Sequence, residues 1–193
     1  MNSFGCVNNT ILVRSGRYFD LAAPRPEDVT IEDIAGALSK ICRFGGQTPR
    51  FYTVAEHCCH CYDAALSDGL GLEIAKLALL HDAAEAFVGD VVKPLKIMLI
   101  DFGLIESGVQ SAIEHAFNIV WDVEKIAAVK RLDMEMLIAE RLEIFGDDGV
   151  QWSGQDQVTR RDLHVEGWGP DQAEAQFMWR AKGCGLVTKG DRT

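Results

Sequence analysis

The segment LALLHDAAEAFVGD, residues 77–90, begins as an apolar helical stripe and then sets an imidazole and a carboxylate side by side at His81 and Asp82. At 3.6 residues per turn, His81 shares a face with Ile74 and Leu77, and Asp82 shares one with Ala75, Ala78 and Leu79. Both polar groups thus point toward an apolar interior. A buried carboxylate without a partner costs several kcal/mol, so donors or a cation must answer it. A His–Asp pair that stabilises helix packing is one answer, and a metal ion is another. Two further residues bear on the choice. His57 shares its face with Val54 and Cys61, and Asp133 falls on the stripe of Ile126, Val129, Met136 and Leu137. Two imidazoles and two carboxylates from three helices suit a borderline or hard divalent ion, with room left for water.

The elements that must position these groups read as helices behind a short extended opening. TILVRSGRYFDL, residues 10–21, reads as two strands around Ser15-Gly16, a hairpin whose turn needs the positive φ that glycine supplies. A helix begins at Thr30 as N-cap, with Ile31, Ile34, Ala35, Leu38 and Ile41 on one face, and is expected to stop at Gly45-Gly46. Thr53 and Glu56 in TVAE form a capping-box pattern that fixes the register of the helix carrying His57. A third helix is expected from about Leu72 to Phe87, and VGDVVKPL is expected as a loop. Helices then follow through GVQSAIEHAFNIV and VEKIAAVKRLDMEMLIAERLEIF. After the break GDDGVQWSGQD, a final helix has Pro170 in its first turn and Ala173 and Phe177 as anchors. The fold class is all-α, a helical bundle with a short N-terminal β-hairpin.

A chain of 193 residues with 48% hydrophobic content supports one compact domain. Its net charge of −10 argues against capture of long nucleic acid or an anionic membrane, while leaving a small anion held by local cations open. No apolar run reaches the ~20 residues of a membrane span. Of six cysteines, four lie at Cys42, Cys58, Cys59 and Cys61, and reduced thiols in a cytoplasmic protein are expected. Neighbouring helical residues diverge by about 100°, so Cys58, Cys59, His60 and Cys61 cannot close a tetrahedron around one zinc ion. Cys61, at i+4 from His57, is the one thiol able to approach a metal at the first site, with core packing as the default expectation.

Taken with RFGG, YTVAEH, LLHDAAEAFVGDVVKPLK and VKRLDMEMLIAER, the spaced H, HD and D pattern resembles the HD-domain metal-dependent phosphohydrolase superfamily. More narrowly it resembles the 5'-deoxynucleotidase-like branch, which has relatives among phage deoxynucleoside triphosphate hydrolases. The likeness covers about Ser15 to Phe145 and, more loosely, the final helix. It implies a single HD domain, one divalent metal ion (Mn, Co, Zn, Mg, Ni or Fe) on His57, His81, Asp82 and Asp133, and catalytic carboxylates at Glu85 and Asp90. It also places Arg43 and Lys96 where the branch carries phosphate-contacting cations. Phe44 stands where relatives have Trp, and Lys93 is a further cation of the same stretch; both join the candidate substrate contacts. The implied activity is hydrolysis of a small deoxynucleotide, a 5'-monophosphate first, with triphosphate release from a dNTP or a non-catalytic nucleotide- or partner-binding module as alternatives. The implied partner is a small nucleotide, with a homo-oligomer such as a dimer left open.

Overall fold

The computed structural model describes residues 9–186 and is mostly helical. Strands β1 (Thr10–Leu12) and β2 (Tyr18–Asp20) pair antiparallel with Thr10 opposite Asp20, and Gly16 makes the turn at φ 79°. The hairpin is tied to helix α1 (Ile31–Leu38) by one buried carboxylate. Asp33 accepts from the Ser15 amide at 2.7 Å, from the Ser15 hydroxyl at 2.9 Å and from the Thr30 hydroxyl at 2.7 Å. Thr30 caps α1 as expected, accepting from the Asp33 amide at 3.1 Å.

Helix α2 (Val54–Ser67) is the hub, packed against α3 (Gly71–Leu80), α7 (Val123–Phe145) and α8 (Pro170–Gly183). The shared core includes Ile31, Ile34, Leu38, Val54, Cys58, Leu79, Leu80, Ile113, Leu132 and Phe177. Burying each large aliphatic or aromatic side chain contributes roughly 1.5–3 kcal/mol. Short helix α4 (Glu85–Val88) is pinned to the hairpin by stacking of Phe87 on Phe19, with ring centroids 4.1 Å apart. A one-turn helix α5 (Lys93–Lys96) and helix α6 (Phe102–Ala116) follow. No helix among the described residues is long and apolar enough to cross a membrane.

Several local expectations are corrected. Helix α1 ends at Leu38, short of Gly45-Gly46, and Arg43–Gly46 forms a separate tight turn with Phe44 and Gly45 at φ 55° and 60°. The helix expected from Leu72 to Phe87 is interrupted at 81–84. There the His81 ring donates from Nδ1 to the Ala78 carbonyl at 2.7 Å, taking the acceptor that a continuous helix offers to the Asp82 amide. The backbone continues with tighter i→i+3 bonds, such as Glu85 N–H to Asp82 O at 3.0 Å. Only half of the TVAE capping box forms. Thr53 Oγ1 accepts from the Glu56 amide at 3.1 Å, but the Glu56 carboxylate instead accepts the amides of Glu166, Gly167 and Trp168 at 2.8–3.0 Å, clamping the segment before α8 onto α2. VGDVVKPL contains the α5 turn. Helix α6 starts at Phe102, well before the expected Gly108, because its first turns carry apolar residues outward (Leu104 is 76% exposed) and so lack an inward stripe. Helix α7 spans the VEKIAAVKRLDMEMLIAERLEIF segment, opened by Asp122 accepting from the Lys125 amide, and α8 buries Ala173 and Phe177 completely.

Candidate metal centre

Three elements deliver four side chains to one point. The Thr53 cap sets the register of α2, so His57 lies one turn in, on the face packed against α3 and α7, with no solvent exposure. His81 and Asp82 arrive at the interrupted end of α3. Asp133 comes from the middle of α7, but at the rim, its side chain 43% exposed, rather than in the buried stripe expected of it. Glu135 and Glu140 are buried on α7 as well, so apolar residues alone do not mark the inward side of that helix.

His57 Nε2 lies 3.2 Å from His81 Nε2, 3.6 Å from Asp82 Oδ2 and 3.3 Å from Asp133 Oδ1. His81 Nε2 lies 3.2 Å from Asp82 Oδ2 and 3.7 Å from Asp133 Oδ1. An ion ligated at about 2.1 Å with tetrahedral or octahedral angles sets adjacent donor atoms roughly 3.0–3.4 Å apart. The donors present fit a divalent cation in both chemistry and spacing. Each ring is also oriented to offer its Nε2 lone pair, because its Nδ1–H is engaged elsewhere. His57 donates to Glu140 Oε1 at 2.5 Å, and His81 to the Ala78 carbonyl.

Without an ion the cluster calls for positive charge. Burial works to raise the Asp82 carboxyl, yet His81 and His57 outweigh it and hold the group at about 2. Asp133 is likewise held well below the usual carboxylate range: desolvation opposes this, and hydrogen bonds with His57 and His81 prevail. Burial disfavours charging both imidazoles, but the surrounding acids carry each well above its ordinary range. Protons then occupy a place that a dication would take with their release.

Glu140 is the functional residue that residue types in the sequence did not expose. Fully buried, it accepts from His57 Nδ1, from the Tyr52 hydroxyl at 2.6 Å and from Arg43 Nε at 3.1 Å. Its spacing of seven from Asp133, two turns along the same face of α7, is the signal that could have found it. Arg43 consequently lies inside the protein, 8% exposed, with Nη1 3.5 Å from Asp82 Oδ2. The left-handed turn at Phe44 and Gly45 folds it in, and Phe44 rests edge-on against Phe145 with centroids 5.5 Å apart.

A cavity of about 450 Å³ opens beside the four residues, lined by His81, Asp82, Glu85, Lys96, Gln110 and Glu114 among others. Glu85, 7% exposed, has no partner for Oε2, and burial together with Asp82 and Asp90 pushes its carboxyl up to about 9. Asp90, in the loop after α4, is also raised, first by burial and then by Asp82 against the opposing pull of Arg43. Lys96 pairs with Glu106 at 2.7 Å on the cavity wall, whereas Lys93 is exposed at the start of α5. A separate hollow of about 530 Å³ contains none of the four ligand candidates. It is lined by His60, Asp68, Arg131, Glu135 and Arg161, whose acids and arginines pair with one another. All five cysteines among the described residues are free; Cys58, Cys59 and Cys61 are buried, and Cys6 lies outside the described residues.

No family model matches the chain. It is 43% identical over 86 residues to an uncharacterized protein of Rhodobacter capsulatus, covering 42% of this chain and 44% of that one. Over 167 residues it is 34% identical to the uncharacterized protein YfdR of Escherichia coli (strain K12), covering 86% of this chain and 90% of that protein. With that identity spread over nearly the whole of both sequences, the chain belongs to the family of Escherichia coli YfdR.

Proposed function

We propose that this chain is a metal-dependent phosphohydrolase of the HD-domain type acting on small deoxynucleotides, a 5'-deoxynucleotidase that releases a deoxynucleoside and phosphate. The observation that carries the reading is the approach of His57 and His81 to each other and to Asp82 and Asp133 at 3.2–3.7 Å, beside a cavity lined by Glu85, whose Oε2 is buried without a partner. A divalent ion on those four residues supplies Lewis acidity toward water and a phosphoryl oxygen.

The remaining work falls to the protein. Glu85 takes a proton from the attacking water; in the metal-free protein burial, Asp82 and Asp90 raise its carboxyl to about 9 against the opposing pull of Arg43 and Lys96, and a bound dication would lower it toward the ionised form a base needs. Asp90, its carboxyl raised in the same direction, delivers a proton to the leaving 5'-oxygen in this reading. Arg43 holds Asp82 in position and adds fixed positive charge behind the phosphoryl group, while its bond to Glu140 keeps it from swinging out. A cavity of about 450 Å³ is within the range of small-ligand sites, roughly 300–1,000 Å³, and suits one mononucleotide. Local cations inside an acidic protein admit such an anion while excluding a long polyanion.

The test is a release assay on metal-free protein reloaded with Mn, Co, Mg or Zn and offered dNMPs, dNTPs, ribonucleotides and cyclic dinucleotides. Inorganic phosphate from a dNMP is the expected product, and triphosphate from a dNTP would move the chain to the triphosphohydrolase alternative. Asp82→Ala should lose bound metal and hydrolysis while keeping its helical circular dichroism. A full metal complement in that variant, or no release from any substrate with any metal, overturns the reading.

A further inference from the structure

Resting on the metal-centre reading above, we propose that Cys61 supplies a fifth, sulfur ligand to the ion, making the centre selective for a thiophilic dication such as zinc, cobalt or ferrous iron. Cys61 lies one helical turn after His57 on α2, is 1% exposed, and places Sγ 3.7 Å from His57 Nε2. A metal–sulfur bond of about 2.3 Å and a metal–nitrogen bond of about 2.1 Å, at the angles of about 90–120° that five donors allow, put the two donor atoms roughly 3.1–3.8 Å apart. The donor atoms of His57, Cys61 and His81 all fall within 4.8 Å of one another, so one ion can reach the three together. Independently of the thiol, Glu85, which lines the cavity together with His81 and Asp82, keeps a buried Oε2 without a partner, polar capacity that the chain itself leaves unmet beside those two ligands.

Sulfur changes which ion fits. Two imidazoles and two carboxylates accept manganese or magnesium as readily as zinc, whereas a thiolate is a soft donor that magnesium and manganese use poorly. The bound form is the thiolate, so the Cys61 proton passes to solvent as the ion enters. Cys58 is the competing thiol, grouped with His81 and Asp82, but it follows His57 by a single residue and projects about 100° away around α2.

Cobalt titration of the metal-free full chain decides the matter, because visible d–d bands report binding and a near-ultraviolet sulfur-to-cobalt charge-transfer band reports the thiolate. Wild type should show both. Cys61→Ser and Cys61→Ala should keep the d–d bands and lose the charge-transfer band, and Cys58→Ser should keep both. X-ray absorption of the zinc form should show one sulfur at about 2.3 Å. The zinc-to-manganese affinity ratio should fall about tenfold or more in Cys61→Ser, since loss of even an outer-sphere partner costs 10–100-fold. Visible bands without charge transfer in wild type overturn the sulfur ligand and leave the metal centre standing, and so does a band lost in Cys58→Ser but kept in Cys61→Ser. Absence of both signals in wild type removes the metal centre and this proposal with it.

Discussion

Replacing Glu140 by Gln isolates the charge that organises the centre from the shape that fills it. Three donors converge on this buried carboxylate: His57 Nδ1–H, the Tyr52 hydroxyl and Arg43 Nε–H. Burial works to raise the Glu140 carboxyl, but Arg43 and His57 prevail and hold it below its ordinary range, so it is ionised at neutral pH and purely an acceptor. Gln keeps one acceptor oxygen. With its NH2 toward Arg43, two donors face each other there; flipped, the NH2 meets both Tyr52 and His57. Removing one partner of a buried ion pair costs about 3–5 kcal/mol, whereas removing one neutral donor to a charged acceptor costs about 1.5–3 kcal/mol. Glu140→Gln is therefore expected to destabilise the metal-free protein by about 3–5 kcal/mol, and Tyr52→Phe by about 1.5–3 kcal/mol. Both are large fractions of a total stability of roughly 5–15 kcal/mol. Urea unfolding followed by circular dichroism, with the slope shared across variants, reads these differences. Metal affinity measured on the folded fraction should also fall 10–100-fold in Glu140→Gln, because His57 loses the acceptor that fixes its tautomer. A Glu140→Gln protein within about 1 kcal/mol of wild type would refute the argument that this carboxylate holds the three donors as an ion.

Glu85→Gln should retain metal and lower kcat by about 10²–10⁴, with unchanged turnover returning Glu85 to a packing role. The same variant tests the electrostatics without metal. A carboxyl raised to about 9 in the fold, against about 4.3 unfolded, favours the folded state fully below the unfolded value and loses that advantage as pH rises through the folded one. Metal-free wild type should thus lose stability between pH 4.3 and about 9, and Glu85→Gln should flatten that slope; parallel curves would contradict the burial argument. Asp68 gives the opposite sign, its carboxyl lowered chiefly by hydrogen bonds from Arg161 and then Arg131, against slight burial. Its contribution is present above the unfolded value near pH 4 and lost as pH falls through the native one. Asp68→Asn should cost about 1 kcal/mol or less at pH 7, as befits a largely exposed group, and nothing at strongly acidic pH; an equal difference at both ends in thermal melts would sink the pairing.

The sequence carried the helical class, the hairpin, the Thr30 and Thr53 caps and the two helices whose boundaries rest on strong local signals, α7 after Asp122 and α8 after Gly169. These are local matters: a cap is decided by an oxygen three residues from an amide, and a turn by a glycine at positive φ. It also singled out His57, His81, Asp82 and Asp133, because polar residues on faces otherwise apolar stand out in a 3.6-residue pattern. Tertiary structure alone decided what those residues meet. Glu56 satisfied the helix-start pattern but was taken by the amides of Glu166, Gly167 and Trp168, more than a hundred residues away. Arg43, expected among the phosphate-contacting cations, is drawn inward by Glu140, 97 residues on, an acid that no local pattern singled out. The helix expected to run through the His-Asp pair gave way there because the His81 ring took a backbone carbonyl while its other nitrogen turned to His57, Asp82 and Asp133. Periodicity reports which face a residue occupies. The partner across that face is set by packing between elements distant in the chain, and it is the partner that fixes a group's charge, tautomer and chemistry.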